Sequence, residues 1–204
     1  MKKIILLMLM LITSFMGVGM LKVNAQTTSA KAIWCGEEGV TTLYFLYDNV
    51  TYSQDDTYHD HLISKVFETP GSARYDSDIK TLCTTVVIEE SFQNARYVNC
   101  DYMFSGLTAL TSVTGLRYMI TESTQRTNSM FSSCSKLATI DFTGVNTSNV
   151  FKMSYMFYEC SALSSLNLGN FDTSKVTDMN NMFYHCSGLT SLDLSSFDTG
   201  EVNL

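Results

Sequence analysis

One stretch of this chain is written almost twice. Residues 156–173 read MFYECSALSSLNLGNFDT, and residues 182–199 read MFYHCSGLTSLDLSSFDT. Aligned on the Met-Phe pair, four units begin at Met103, Met130, Met156 and Met182, in steps of 27, 26 and 26 residues. The shared pattern is M-F-x-x-C-S-x-L-x-x-L-x-L-x-x-F-D-T-S-x-V-x-x-M. The unit at 156–181 obeys it throughout. The unit from Met103 is degenerate, with Leu107 in the cysteine position and an extra residue near Gly115. A half unit precedes it, in which Phe92 and Cys100 take the places of the Phe and the second Met. A fixed period in this range is the mark of stacked repeats.

Each unit holds two apolar spacings. The end of L-x-x-L-x-L alternates, as in a short strand with one buried face. After F-D-T-S, residues Val176, Met179, Met182, Phe183 and Cys186 fall at the spacing of one helix face. Asp172, Thr173 and Ser174 stand where that helix would start, as caps. They lack the glycine-rich nonapeptide of a calcium-binding ladder. The expected architecture is an α/β repeat solenoid of leucine-rich-repeat-like coils, each one short strand plus one short helix. A single unit buries too little apolar surface to offset the ordering of its residues, so units must stack to be stable. One proline in 204 residues suits such a regular backbone.

The N-terminus has the layout of a secretory signal peptide over residues 1–25. Lys2 and Lys3 precede an apolar run from Ile4 to Leu21, and Val23-Asn24-Ala25 forms a small-x-small exit. An uncleaved membrane anchor is the competing reading, since the run is nearly long enough to span. Removing Lys2, Lys3 and Lys22 leaves ten basic against twenty acidic residues, a net charge of −10. That balance argues against nucleic acid as a partner, because phosphate neutralisation needs cations. It leaves no basic patch for a membrane surface, so membrane contact is expected only through the signal segment.

Residues 26–81 do not repeat and read as a small β-rich N-terminal cap. Ala32–Cys35 and Thr41–Tyr47 flank Gly36-Glu37-Glu38-Gly39, the signature of a hairpin. The aromatics Trp34, Tyr44, Phe45, Tyr47, Tyr52 and Tyr58 fit a cap over the first coil; the alternative is a sugar-stacking site. Residues 82–204 form the repeat array: a half unit at 82–102, units from 103, 130 and 156, and a truncated unit from 182. Tyr58-His59-Asp60-His61 pairs two histidines without a third ligand at a recognisable spacing, so a polar loop is the better reading than a metal site. No nucleophile elbow, phosphate loop or zinc-protease motif appears. Neither an enzyme nor a cofactor is expected.

The repeat motif, and the upstream stretches AIWC…TTLYFLYDN and TTVVIEESFQNAR, resemble the BspA-like leucine-rich-repeat surface proteins of bacteria. The likeness covers about 82–204 well. It implies a secreted or cell-surface protein used for adhesion or ligand binding, without naming a ligand. The alternatives are a structural spacer that holds other domains from the cell, or a carbohydrate-binding N-terminal segment on a passive array.

The candidate ligand face is the outward side of the strands. Asp141, Asn167 and Asp193 share one repeat position, flanked by Thr139, Ser165 and Ser191 and by Thr143 and Ser195. Such a row of hydroxyls and carboxylates suits a host or matrix protein or a surface glycan. Cys134, Cys160 and Cys186 fall on one inward position and are expected as free thiols; Cys35 with Cys83 is the one candidate disulfide. Ending inside a unit, at Leu204, leaves Phe183, Leu192 and Leu194 without a following coil, and self-association through that end is expected.

Overall fold

The computed structural model describes residues 29–37, 40–48, 50, 54, 56–59, 61–62, 64–67 and 75–203. The signal segment expected at 1–25 lies outside them. Among the described residues no helix is long and apolar enough to cross a membrane.

The chain first builds a hairpin. Strands β1 (Ser29–Glu37) and β2 (Val40–Asp48) pair antiparallel from Ser29 opposite Asp48 to Glu37 opposite Val40. Their apolar runs are nearly unbroken because both faces of the sheet are covered. Ala32, Trp34, Leu43 and Phe45 enter the main core, while Ile33, Cys35, Tyr44 and Leu46 form a small cluster on the other side. Side chains alternate between faces along a strand, so one sequence serves both. Two two-residue strands, β3 (Thr57–Tyr58) and β4 (His61–Leu62), make a separate ribbon. Then β5 (Lys65–Phe67) adds antiparallel to β1.

Helix α1 (Ser77–Leu82) starts where the Asp76 carboxylate accepts from the Ile79 N–H. Strand β6 (Thr85–Ile88) follows, parallel to β2, and β7 (Ser112–Thr114) lies parallel to β6. The sheet order is β5-β1-β2-β6-β7, and the sheet is mixed. Gly115, just after β7, has φ +80, and a Cβ there would collide with the Ile88 carbonyl oxygen. Only glycine allows that approach.

The expected α/β repeat solenoid is overturned. Within the repeats only β6 and β7 are strands, and no α-helix occupies the predicted helix position. The remaining helical pieces are two 3₁₀ turns, Glu90–Ala95 and Leu116–Tyr118. The molecule is a mixed sheet followed by stacked, turn-built repeats. The reason lies in two left-handed residues per unit. Tyr102, Ser129, Tyr155 and Asn181, before each Met, have φ between 52° and 59°. Gly106, Ser133, Glu159 and His185, four residues on, are left-handed too. An α-helix cannot pass through such residues.

The backbone instead divides its donors. In the third unit the N–H groups of Tyr155, Phe157 and Glu159 donate to the carbonyls of Asn180, Met182 and Tyr184 in the next unit, at 2.8–2.9 Å. The intervening Met156, Tyr158 and Cys160 donate back to Met153, Tyr155 and Phe157, at 3.1–3.3 Å. The second unit repeats this, with Ser129, Phe131 and Ser133 donating to Ser154, Met156 and Tyr158. Parallel bridges link Asn99, Arg126, Lys152 and Asp178 in one column. Stacked tight turns thus give the apolar spacing of a helix without one.

Side chains stack in the same register. Phe131 and Phe157 lie parallel with ring centroids 5.9 Å apart, and Phe157 and Phe183 with centroids 5.7 Å apart. A buried hydroxyl fastens successive units: Thr147 Oγ1 donates to the Asp172 carbonyl and accepts from the Asp172 N–H. Thr173 does the same with Asp198. All six cysteines are free and buried. Cys134, Cys160 and Cys186 each donate to a Phe carbonyl of the preceding unit, at 3.2, 3.1 and 3.0 Å. The expected Cys35–Cys83 disulfide is absent, because the two thiols belong to opposite faces of the sheet.

Candidate ligand-binding faces

Stacking brings the predicted outward row together on the surface. Thr139, Asp141, Thr143, Ser165, Asn167, Ser191, Asp193 and Ser195 are all exposed. They do not sit on strands, however. Asp141, Asn167 and Asp193 each close a turn, their Oδ1 accepting from the N–H of Thr143, Gly169 and Ser195 at 2.8, 3.1 and 2.9 Å. One side-chain oxygen per residue is therefore used internally, and the other end of each group faces solvent. The Thr143 hydroxyl and N–H hold Asp141 below its ordinary pKa, and those of Ser195 do so for Asp193. The row carries fixed negative charge at two of its three steps.

The residues expected as helix caps behave alike. Asn146, Asp172 and Asp198 accept from the N–H of Ser148, Ser174 and Gly200. The cap chemistry is present, but it closes turns because no helix follows.

Three of the N-terminal aromatics are turned inward. Trp34 and Phe45 are buried in the main core, and Tyr44 in the smaller cluster. Tyr52 lies outside the described residues. Tyr58 packs edge-on against Tyr44, with centroids 5.1 Å apart. The His59 ring stacks on Tyr44 and its Nε2 lies 3.1 Å from Glu89 Oε1. Asp60 and the His61 side chain lie outside the described residues. No group of three metal-ligating side chains occurs among the described residues.

A second exposed face went unread in the sequence. Tyr155 and Tyr184 are 39% and 48% exposed. Tyr158 joins them: its ring is 5.5 Å from Tyr155 and stacks on Tyr184 at 5.2 Å, with the planes 10° apart. The His185 ring stands perpendicular to Tyr184, 4.1 Å away. Beside these rings runs a shallow groove of about 460 Å³ whose lining includes Ser133, Ser135, Glu159, Ser161, His185 and Ser187. The Ser133 hydroxyl donates to Glu159 Oε2 at 3.0 Å. Desolvation first, and then the neighbouring Glu159 carboxylate, raise the Tyr158 phenol above its ordinary pKa. Its one trace in the sequence is that Tyr158 and Tyr184 occupy one repeat position, just after the buried Phe.

Comparison with known proteins adds one match. Residues 98–204 fit the family model described as "Mycoplasma protein of unknown function, DUF285", which covers more than half of the chain. No curated protein and no solved structure matches. The chain belongs to that family.

Proposed function

We propose that this member of the family is an exported bacterial surface protein that mediates adhesion or ligand binding through the outward faces of its stacked repeats. The observation that carries this reading is the recurrence of exposed polar side chains at one repeat position, each clamped by its own turn. Asp141, Asn167 and Asp193 are the core of that row. Side chains fixed in advance lose less entropy when a partner arrives. The likeness to BspA-like surface proteins and the signal-type N-terminus support the same assignment. The partner is a host or matrix protein or a surface glycan, and no catalytic step or cofactor is assigned.

The test must keep the turns intact. Changing Asp141 and Asp193 to Asn preserves the Oδ1 acceptor and removes the charge. Beads coated with this double variant are expected to adhere less to host cells or matrix than wild-type beads, at an unchanged melting temperature. Full adhesion, lost instead when Tyr47 and Tyr52 are changed to Ala, would assign recognition to the N-terminal segment and leave the repeats as a spacer.

A further inference from the structure

The groove beside the tyrosine ridge has a chemistry of its own. Its hydroxyls recur in register: Ser135, Ser161 and Ser187 follow one another at steps of 26 residues. Successive units paired like strands lie about 4.8 Å apart, so the groove repeats its donors and acceptors along the stack. A ligand that repeats likewise, a polymer, can use several units at once. Among the described residues the lining holds no lysine or arginine, so no permanent cation is there to neutralise a phosphate, sulfate or carboxylate. It also holds no large apolar side chain to seat a peptide's anchor residue. It offers hydroxyls, one carboxylate and one imidazole, which suit partners that both donate and accept.

The rings supply what the groove lacks. Two tyrosines touch the lining: the Tyr184 ring stands 4.1 Å from the His185 ring, and the Tyr158 phenol is hydrogen-bonded to Glu159. Tyrosine presents an apolar body with a polar tip. Tyr158 stacks on Tyr184 and packs at a tilt against Tyr155, so the rings support one another before any ligand binds.

We propose that the groove bounded by Ser133, Glu159, Ser161 and His185, rimmed by Tyr158 and Tyr184, binds an uncharged glycan chain. The sugar's apolar C–H edges lie against the tyrosines, and its hydroxyls donate to the Glu159 carboxylate and exchange hydrogen bonds with the serine row. This rests on reading the protein as a surface ligand binder, but it uses a different face from the Asp141 row.

Titration of the full chain with uncharged hexasaccharides tests it. The probes are cellohexaose, chitohexaose, laminarihexaose and maltohexaose, followed by saturation-transfer NMR and calorimetry, with a heparin hexasaccharide as the charged counterpart. At least one uncharged probe is expected to bind, more tightly than its disaccharide. Tyr184→Ala and Glu159→Gln are each expected to weaken it by about tenfold or more, the scale of losing one anchoring side chain. Tyr184→Phe keeps the ring and is expected to retain most of the binding, which separates lost contact from lost folding. The proposal is overturned by no uncharged binding at millimolar concentration, by binding indifferent to both variants, or by a preference for the charged probe. Bead adhesion that persists in any of those cases leaves the broader surface-binding role standing.

Discussion

The N-terminal sheet and the repeats are built from similar residues and use them in opposite ways. Both are rich in aromatics. In the sheet Trp34, Tyr44 and Phe45 are buried, because both faces of β1 and β2 are covered. In the repeats the phenylalanines fill the core while Tyr155 and Tyr184 stay on the outside. The difference comes from the backbone. A strand sends alternate side chains to two faces and spends its N–H groups on neighbouring strands. The repeat segment sends alternate N–H groups to the next unit and folds the others back into its own turns. Each unit then exposes two short corners, and those corners carry the tyrosines, Glu159 and His185. The sheet provides support, and the repeats provide surface.

The largest expected effect would break this comparison if it failed. The core is continuous from β1 to Cys186, so a large-to-small change should cost the same on either side. Phe157→Ala in the repeats and Phe45→Ala in the sheet are each expected to lose about 3–5 kcal/mol in denaturant unfolding. A much smaller loss for Phe157 would mean that the repeats are only loosely coupled to the sheet.

The thiols give a smaller effect, spread over both regions. Burial pushes Cys83, Cys100 and Cys160 up to about 12. An unfolded thiol ionises near pH 9, and the folded ones do so only near 12. Their contribution is therefore complete below about pH 9 and is lost as pH rises towards 12. Unfolding free energy measured from pH 8 to 11 is expected to decline, and Cys160→Ala is expected to make that decline shallower. An unchanged slope would show that the Cys160 thiol titrates as freely in the folded protein as in the unfolded one.

The smallest effect is the most discriminating, because two architectures predict opposite signs. Ser133 has φ 61°, and its counterpart in the first unit is already Gly106. Ser133→Gly relieves left-handed strain and is expected to be neutral or to stabilise by up to about 1 kcal/mol. In a helix the same change would cost about 0.5–1 kcal/mol. Thermal unfolding of the purified variant decides between them.

The same residues explain what could be read from the sequence. The hairpin was legible because Ala32–Cys35 and Thr41–Tyr47 are two apolar, aromatic-rich runs around a glycine-containing loop. The repeat period was legible in Met103, Met130, Met156 and Met182. The local structure of the repeat was not. Left-handed positions usually announce themselves as glycine, and here Tyr155, Glu159, Asn181 and His185 fill them. With no glycine in view, Val176, Met179, Met182, Phe183 and Cys186 read as one helix face. The Asp141, Asn167 and Asp193 row was legible as outward-facing, since it lies between inward apolar positions. That each would close a turn with its neighbour two residues on was hidden, because the same residue types also cap helices. The tyrosine ridge was not legible, because Tyr158 and Tyr184 follow the buried Phe directly and a left-handed residue comes next, so no regular period marks them as outward.

The division of donors within the repeats is tested directly by hydrogen exchange read by NMR. In the third unit Tyr155, Phe157 and Glu159 donate to the next unit, whereas among the described residues the equivalent N–H groups of Asn181, Phe183 and His185 meet no backbone acceptor. Tyr184 and Cys186, which alternate with them, donate within their own turns. The prediction is slow exchange at Tyr155, Phe157 and Glu159, fast exchange at Asn181, Phe183 and His185, and slower exchange at Tyr184 and Cys186 between them. Uniform protection from Asn181 to Cys186, as a continuous helix would give, would contradict it.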